Sequence, residues 1–154
     1  YSLERAASFL ALVTLMSLVG KLAGGYLGDR FGRHYLASIG MLGHTAALVL
    51  LVTGTSTLSL YLFAITQGVS WGLRGPLMSA LKADFFGRHS FAKITGFSQV
   101  IVMVGSALGP IVCGLSFDWF GSYSYGFSGI AVLTLFGSLC FLFLGHPGQR
   151  PTPK

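Results

Sequence analysis

Five long apolar runs, each about the length of a bilayer crossing, decide what this chain can become before any single residue is considered. They cover roughly 6–27, 35–54, 58–80, 94–117 and 125–144, and a spanning helix needs about 20 mostly apolar residues. Only 9% of the residues are charged, against about a quarter in soluble domains, and nearly every charge falls in the short strips between the runs. Lipid is therefore the expected solvent. A bilayer offers lipid-facing backbone groups no water, so only helices and closed barrels satisfy them internally. The alternating ten-residue strands of a barrel are absent. The expected fold is all-α: a polytopic transmembrane bundle of five spans over residues 1–146, followed by a polar, proline-rich tail at 147–154.

The strips also orient the bundle. Arg30, Arg33, Lys82, Arg88, Lys93, Arg150 and Lys154 share one face, and only Arg5 lies on the other. Lysine and arginine mark the cytoplasmic side, so the carboxyl terminus is expected in the cytoplasm, with the protein in a plasma or inner membrane. The net charge of +6 is then a topology signal, and no nucleic-acid partner is invoked. The first run lacks a basic leader and a small-residue cleavage site, unlike a signal peptide. A chain that opens on Tyr1 with a span almost at once reads as the tail of a longer polypeptide. Cys113 and Cys140 fall inside separate runs, where cysteine behaves as a small hydrophobe. No disulfide, metal or cofactor is expected.

One strip repeats. Gly25-x-x-x-Asp29-x-x-Gly32 is echoed by Ala80-x-x-x-Asp84-x-x-Gly87 and by Gly114-x-x-x-Asp118-x-x-Gly121, each at the end of a run. An aspartate at a helix carboxyl end opposes its own helix dipole, so it needs an arginine or a neighbouring helix amino end. Arg30, Arg33 and Arg88 are the candidates. The glycines permit a tight reversal with positive φ. A solvated turn is the plainer reading; the recurrence of the same three residue types favours a latch between helices.

The stretch "GYLGDRFGRH" resembles the signature loop of the major facilitator superfamily, with Gly25, Asp29, Arg30, Gly32 and Arg33 matching it and His34 replacing the last basic residue. The resemblance implies a loop joining the second and third helices of a six-helix half, with a charge relay that stabilises one state of alternating access. "ADFFGRHSFAKITGF" and "GSALGPIVCGLSFDWFGSYSYGF" look like the tenth-to-eleventh helix region of that family, in the branch of monocarboxylate and oxalate–formate carriers. The chain would then be helices eight to twelve of the carboxyl-terminal half, its partner being the missing amino-terminal half. Helices two to six are the alternative register.

An ionisable residue inside a span is costly and is a functional candidate by default. Arg74, which the resemblance places on a cavity-lining helix, offers a planar fork suited to carboxylates; the competing reading is a structural arginine beside the kink expected at Pro76. Lys21 is a second substrate candidate, although its stem could reach the interface. Gln67, Trp71 and Gln99 are expected as polar and aromatic cavity contacts. His44 could relay protons; the resemblance puts it on a peripheral helix, where a hydrogen bond to a neighbour is the expectation. Gly20, Gly24 and Gly28, Gly68 and Gly72, and Gly105 and Gly109 repeat at four-residue spacing, which lets membrane helices pack closely. Gly109-Pro110 should also bend the fourth span.

The expected function is a secondary transporter of small solutes. Two cations in the spans with no balancing acid favour small organic anions such as mono- or dicarboxylates, moved with a coupling proton or counter-anion. A drug or sugar carrier of the same family and a non-transporting scaffold are the alternatives. An intramembrane enzyme is disfavoured, since the chain has no mid-span aspartate pair, no histidines at metal spacing and no Gly-x-Ser-x-Gly elbow.

Overall fold

The computed structural model describes residues 3–143, and of Leu3, Arg5 and Arg88 the backbone alone. The chain forms α1 (Leu3–Phe31), α2 (Arg33–Thr53), α3 (Thr57–Phe120) and α4 (Ser124–Leu142), with no strand among the described residues. The tail expected at 147–154 lies outside the described residues.

α3 is two helices fused end to end. Gly87 breaks it at φ 68° and ψ 172°, a backbone region that is essentially open to glycine alone. A first arm of residues 57–86 and a second arm of residues 88–120 meet there, so five helical segments correspond to the five apolar runs. The strip from Lys82 to Lys93, expected as a loop, is instead helical on both sides of one redirecting residue.

The other reversals are equally short. Gly32 alone separates α1 from α2, at φ 90°, and Gly121 ends α3 in the left-handed conformation at φ 66°, its N–H donating to the Phe117 carbonyl at 2.8 Å. Gly32, Gly87 and Gly121 are the closing glycines of the three Asp-x-x-Gly echoes, and they are the positive-φ residues among those described. Between α2 and α3, Ser56 caps the helix by accepting from the Ser59 N–H at 3.2 Å.

α1 packs on the first arm of α3 through small residues. A Cβ added at Gly72 would collide with the Ser17 carbonyl oxygen and sit 2.8 Å from Gly20 Cα, and one at Gly68 would lie 2.6 Å from Met16 Cβ. Glycine is required here by close backbone approach. The contact continues into a core of Leu36, Leu73 and Leu77, with Ala23, Leu27 and Val69 against it. α4 lies along α2, where Ser138 donates to the Ser38 carbonyl at 3.0 Å and the Thr45 and Thr134 hydroxyls meet at 3.0 Å. These hydroxyl contacts hold helices together where lipid removes the hydrophobic drive between them.

The second arm of α3 is held mainly near its ends. Lys82 reaches across the Gly87 break to Ser98 at 2.6 Å, and Ser116 accepts from the Gly126 N–H at 3.0 Å while donating to the Ser122 carbonyl at 2.9 Å. Residues 99–108 between those ties are exposed. Gly105 and Gly109, expected to pack a helix closely, find nothing within 4 Å of an added Cβ among the described residues. The helix runs through both Pro76 and Pro110, and its non-helical backbone angles fall at Gly87.

Four segments are long and apolar enough to cross a membrane: Ala6–Phe31, Arg33–Thr53, His89–Phe120 and Ser124–Leu142. The expected third span, 58–80, forms a helix of sufficient length but falls outside that set. Gln67, Trp71 and Arg74 lower its hydropathy, and they share one side of it.

Candidate functional site

Among the described residues, two polar sites interrupt the apolar bundle. The first lies where α1, α2 and the first arm of α3 end together. Arg33 Nη1 donates to both carboxylate oxygens of Asp84, at 2.8 and 2.7 Å, and its Nη2 donates to Asp29 at 2.8 Å. One guanidinium thus joins three helices.

Helix dipoles explain why the three charges are found together. Asp29 lies near the carboxyl end of α1, Asp84 lies three residues before the Gly87 break, and Arg33 opens α2. Each is at the unfavourable end of its own helix dipole and the favourable end of its partners'. Convergence of the helix ends thus sets each charge against a dipole that favours it.

The other latch candidates do not enter this cluster. Arg30 Nη1 lies 3.5 Å from the Tyr26 hydroxyl, and its guanidinium covers the Phe31 ring at 5.8 Å. Asp118 is exposed and makes no ion pair among the described residues. The side chain of Arg88 lies outside the described residues. Gly25 is exposed with open space around an added Cβ, whereas Gly24 and Gly28 are buried against Leu73 and Leu77.

The second site is a groove of about 530 Å³ between α2, the first arm of α3 and α4. Gln67, Trp71 and Arg74 enter it from α3 at spacings of four and three residues, which place them on one helix face. Arg74 stands over the Trp71 ring at 5.9 Å. It makes no hydrogen bond or ion pair among the described residues, and no carboxylate lines the groove. His44 enters from α2 and is buried; its Nδ1 lies 3.1 Å from Gln67 Oε1, and its ring meets Trp71 edge-on at 6.0 Å.

Sequence reasoning placed His44 away from the cavity, on the strength of its helix's peripheral rank. The structure gives it the expected bond to a neighbouring helix and also places it on the wall that Arg74 shares. The available signal was a mid-span histidine with a mid-span glutamine on the next helix. Lys21 is exposed on α1 and Gln99 is exposed on the second arm of α3; neither lines this groove.

The chain is similar to several curated transporters. It is 29% identical to the triacylglyceride transporter of Mycobacteroides abscessus over 115 residues, 75% of this chain and 21% of that protein. It is 26% identical to the staphyloferrin B transporter of Staphylococcus aureus over 149 residues, 94% of this chain and 35% of that protein. With the benzoate transport protein of Acinetobacter baylyi it shares 24% identity over 154 residues, 99% of this chain and 33% of that protein. The matched length is thus a fifth to about a third of these relatives. The Major Facilitator Superfamily matches residues 1–154, and together with the long apolar helices this shows that the chain is an integral membrane protein belonging to that superfamily, a family of transporters and not of enzymes.

Proposed function

We propose that this chain is part of the carboxyl-terminal half of a secondary transporter of small organic anions that works by alternating access. In this reading the segments are helices eight to twelve, and residues 1–146 belong to a larger carrier whose amino-terminal half completes the cavity. The observation that carries the substrate class is Arg74: a guanidinium in a groove between apolar helices, without a carboxylate partner among the described residues. An unbalanced charge at membrane depth is expensive, and an anionic solute would balance it while accepting two parallel hydrogen bonds. The benzoate transport protein, one of the relatives, has an organic anion in its name.

The first arm of α3 spans the bilayer in this reading even though it is less apolar than its neighbours, because its polar residues face the groove. Gln67 and Trp71 shape the site, and Lys21 and Gln99 act from outside it. The Arg33 cluster is the latch of one alternating-access state. Its side of the membrane is cytoplasmic, as the basic strips imply, and a coupling proton or counter-anion completes the cycle.

The test is Arg74→Gln in the full-length carrier, reconstituted in liposomes and offered a panel of radiolabelled mono- and dicarboxylates. Uptake of the accepted anion should fall at least tenfold while insertion and folding stay intact. Unchanged uptake would make Arg74 a structural residue and remove the basis for an anion.

A further inference from the structure

α1 presents two unlike faces. Gly20, Gly24 and Gly28 lie against Val69, Leu73 and Leu77 of α3. On the other side Leu15, Val19, Leu22, Tyr26 and Arg30 follow one another at spacings of four, three, four and four residues, which stack them on one helix face. All five are exposed, the four uncharged ones by more than half. This stripe holds no glycine, the residue that lets membrane helices approach closely, so its large side chains suit acyl chains better than a second helix. It runs about 22 Å along the axis, longer than one leaflet's hydrocarbon of about 15 Å.

The polar end of the stripe is a single cation. Arg30 makes no ion pair among the described residues, since Asp29 beside it pairs with Arg33. Its Nη1 lies 3.5 Å from the Tyr26 hydroxyl, and the exposed Phe31 ring lies 5.8 Å from its guanidinium. Tyrosine at the end of an apolar helix sits at headgroup level. Around it, residues 29–34 and 82–93 hold five lysines and arginines against two aspartates, and both aspartates bind Arg33. That excess favours a lipid of net negative charge.

We propose that Arg30, with Tyr26 and Phe31, binds the phosphate of an anionic phospholipid whose acyl chain lies along Leu22, Val19 and Leu15. The guanidinium donates two parallel N–H bonds to phosphate oxygens, and the Tyr26 hydroxyl supplies a further donor beside it. Phe31 covers the junction between headgroup and chain. The site depends on the chain being a membrane protein and is independent of the solute assigned to the Arg74 groove.

The experiment titrates phosphatidylglycerol or phosphatidylcholine into the delipidated full-length carrier and reads the first bound lipid by native mass spectrometry. Wild type should bind phosphatidylglycerol about fivefold more tightly, the scale one arginine contributes near an anionic surface. Arg30→Gln should abolish that preference and Arg30→Lys should keep part of it. Lys93→Gln, at an exposed cation on the second arm of α3, should leave it unchanged. Should Arg30→Gln fail to fold, Tyr26→Phe, which removes one donor, should still weaken phosphatidylglycerol binding and spare phosphatidylcholine. No preference in wild type, as when polypeptide beyond this chain covers the stripe, overturns the proposal. A loss at Lys93 equal to that at Arg30 overturns it too, by assigning the preference to the charge of the whole face. Displacement of the lipid by inorganic phosphate also overturns it, because the site would then be one for a soluble anion.

Discussion

Arg33 holds Asp84 from 51 residues away with both carboxylate oxygens engaged, and it holds Asp29, four residues behind it, through its other nitrogen. The two aspartates are not equivalent. The Asp84 side chain is 31% exposed and accepts two bonds; that of Asp29 is 71% exposed and accepts one. Exposed ion pairs contribute about 0.2–1 kcal/mol, and the less exposed pair belongs toward the top of that range. If the cluster is the proposed latch, Asp84→Asn shifts the balance of inward- and outward-facing carriers by about fivefold, near the top of that range, and Asp29→Asn by less. Distances between spin labels in the full-length carrier would report both. Equal shifts, or a pure loss of substrate affinity, would remove the latch reading.

Gly72 and Gly25 differ sharply in what surrounds them. A side chain at Gly72 would strike the Ser17 backbone, and Gly25 has open space. Gly72→Val should lower the melting temperature in detergent by several degrees, because it drives α1 off the first arm of α3; overpacking of this kind costs about 1–3 kcal/mol. Gly25→Ala should leave the melting temperature of this chain unchanged. A large loss from Gly25→Ala would mean that α1 meets other helices more closely on that side than on the α3 side.

The two glycines that end the arms of α3 call for different replacements. Gly87, at φ 68° and ψ 172°, occupies a region that side chains rarely enter. Gly87→Ala should cost about 1–3 kcal/mol even though nothing crowds the added methyl. Gly121, at φ 66° and ψ 12°, is in the left-handed region that asparagine tolerates, so Gly121→Asn should be close to neutral. Chemical denaturation monitored by circular dichroism separates the two. Equal tolerance would place the redirection of the chain elsewhere in the strip.

Arg74 and Lys21 are both cations within apolar helices, and only Arg74 lines the groove. Arg74→Gln should reduce anion binding at least tenfold, and Lys21→Gln by less than about twofold. Solute binding measured on both variants tests the placement. A loss at Lys21 equal to that at Arg74 would show that α1 carries a cavity face of its own.

The repeated aspartate turns illustrate how much was legible before folding. The three glycines at Asp-x-x-Gly could be marked as reversal points from chemistry alone, and each has positive φ. Which arginine would serve the aspartates could not be read, since Arg30 and Arg33 are near neighbours in sequence. The geometry of the α1–α2 turn separates them: Arg33 faces Asp84, and Arg30 stacks on Phe31. The glycine spacing behaved in the same way. Gly20 and Gly72 meet backbone to backbone, while Gly105 and Gly109, with the same spacing, meet nothing among the described residues. Spacing defines a smooth face but does not name the helix that will use it.

Solvent, helices and their number follow from the residues alone, because the long apolar runs admit few other structures in lipid and because glycine and charge mark where helices stop. The residues also supply Arg74 as an embedded cation. The packing of α2, α3 and α4 is what brings Arg74, Gln67 and Trp71 into one groove with His44 and leaves Lys21 and Gln99 outside it. A mid-span polar residue carries its energetic cost wherever it points, and that cost is read from one helix. The partner that offsets it is set by how neighbouring helices rotate and pack, which depends on contacts as distant in sequence as Ser38 with Ser138.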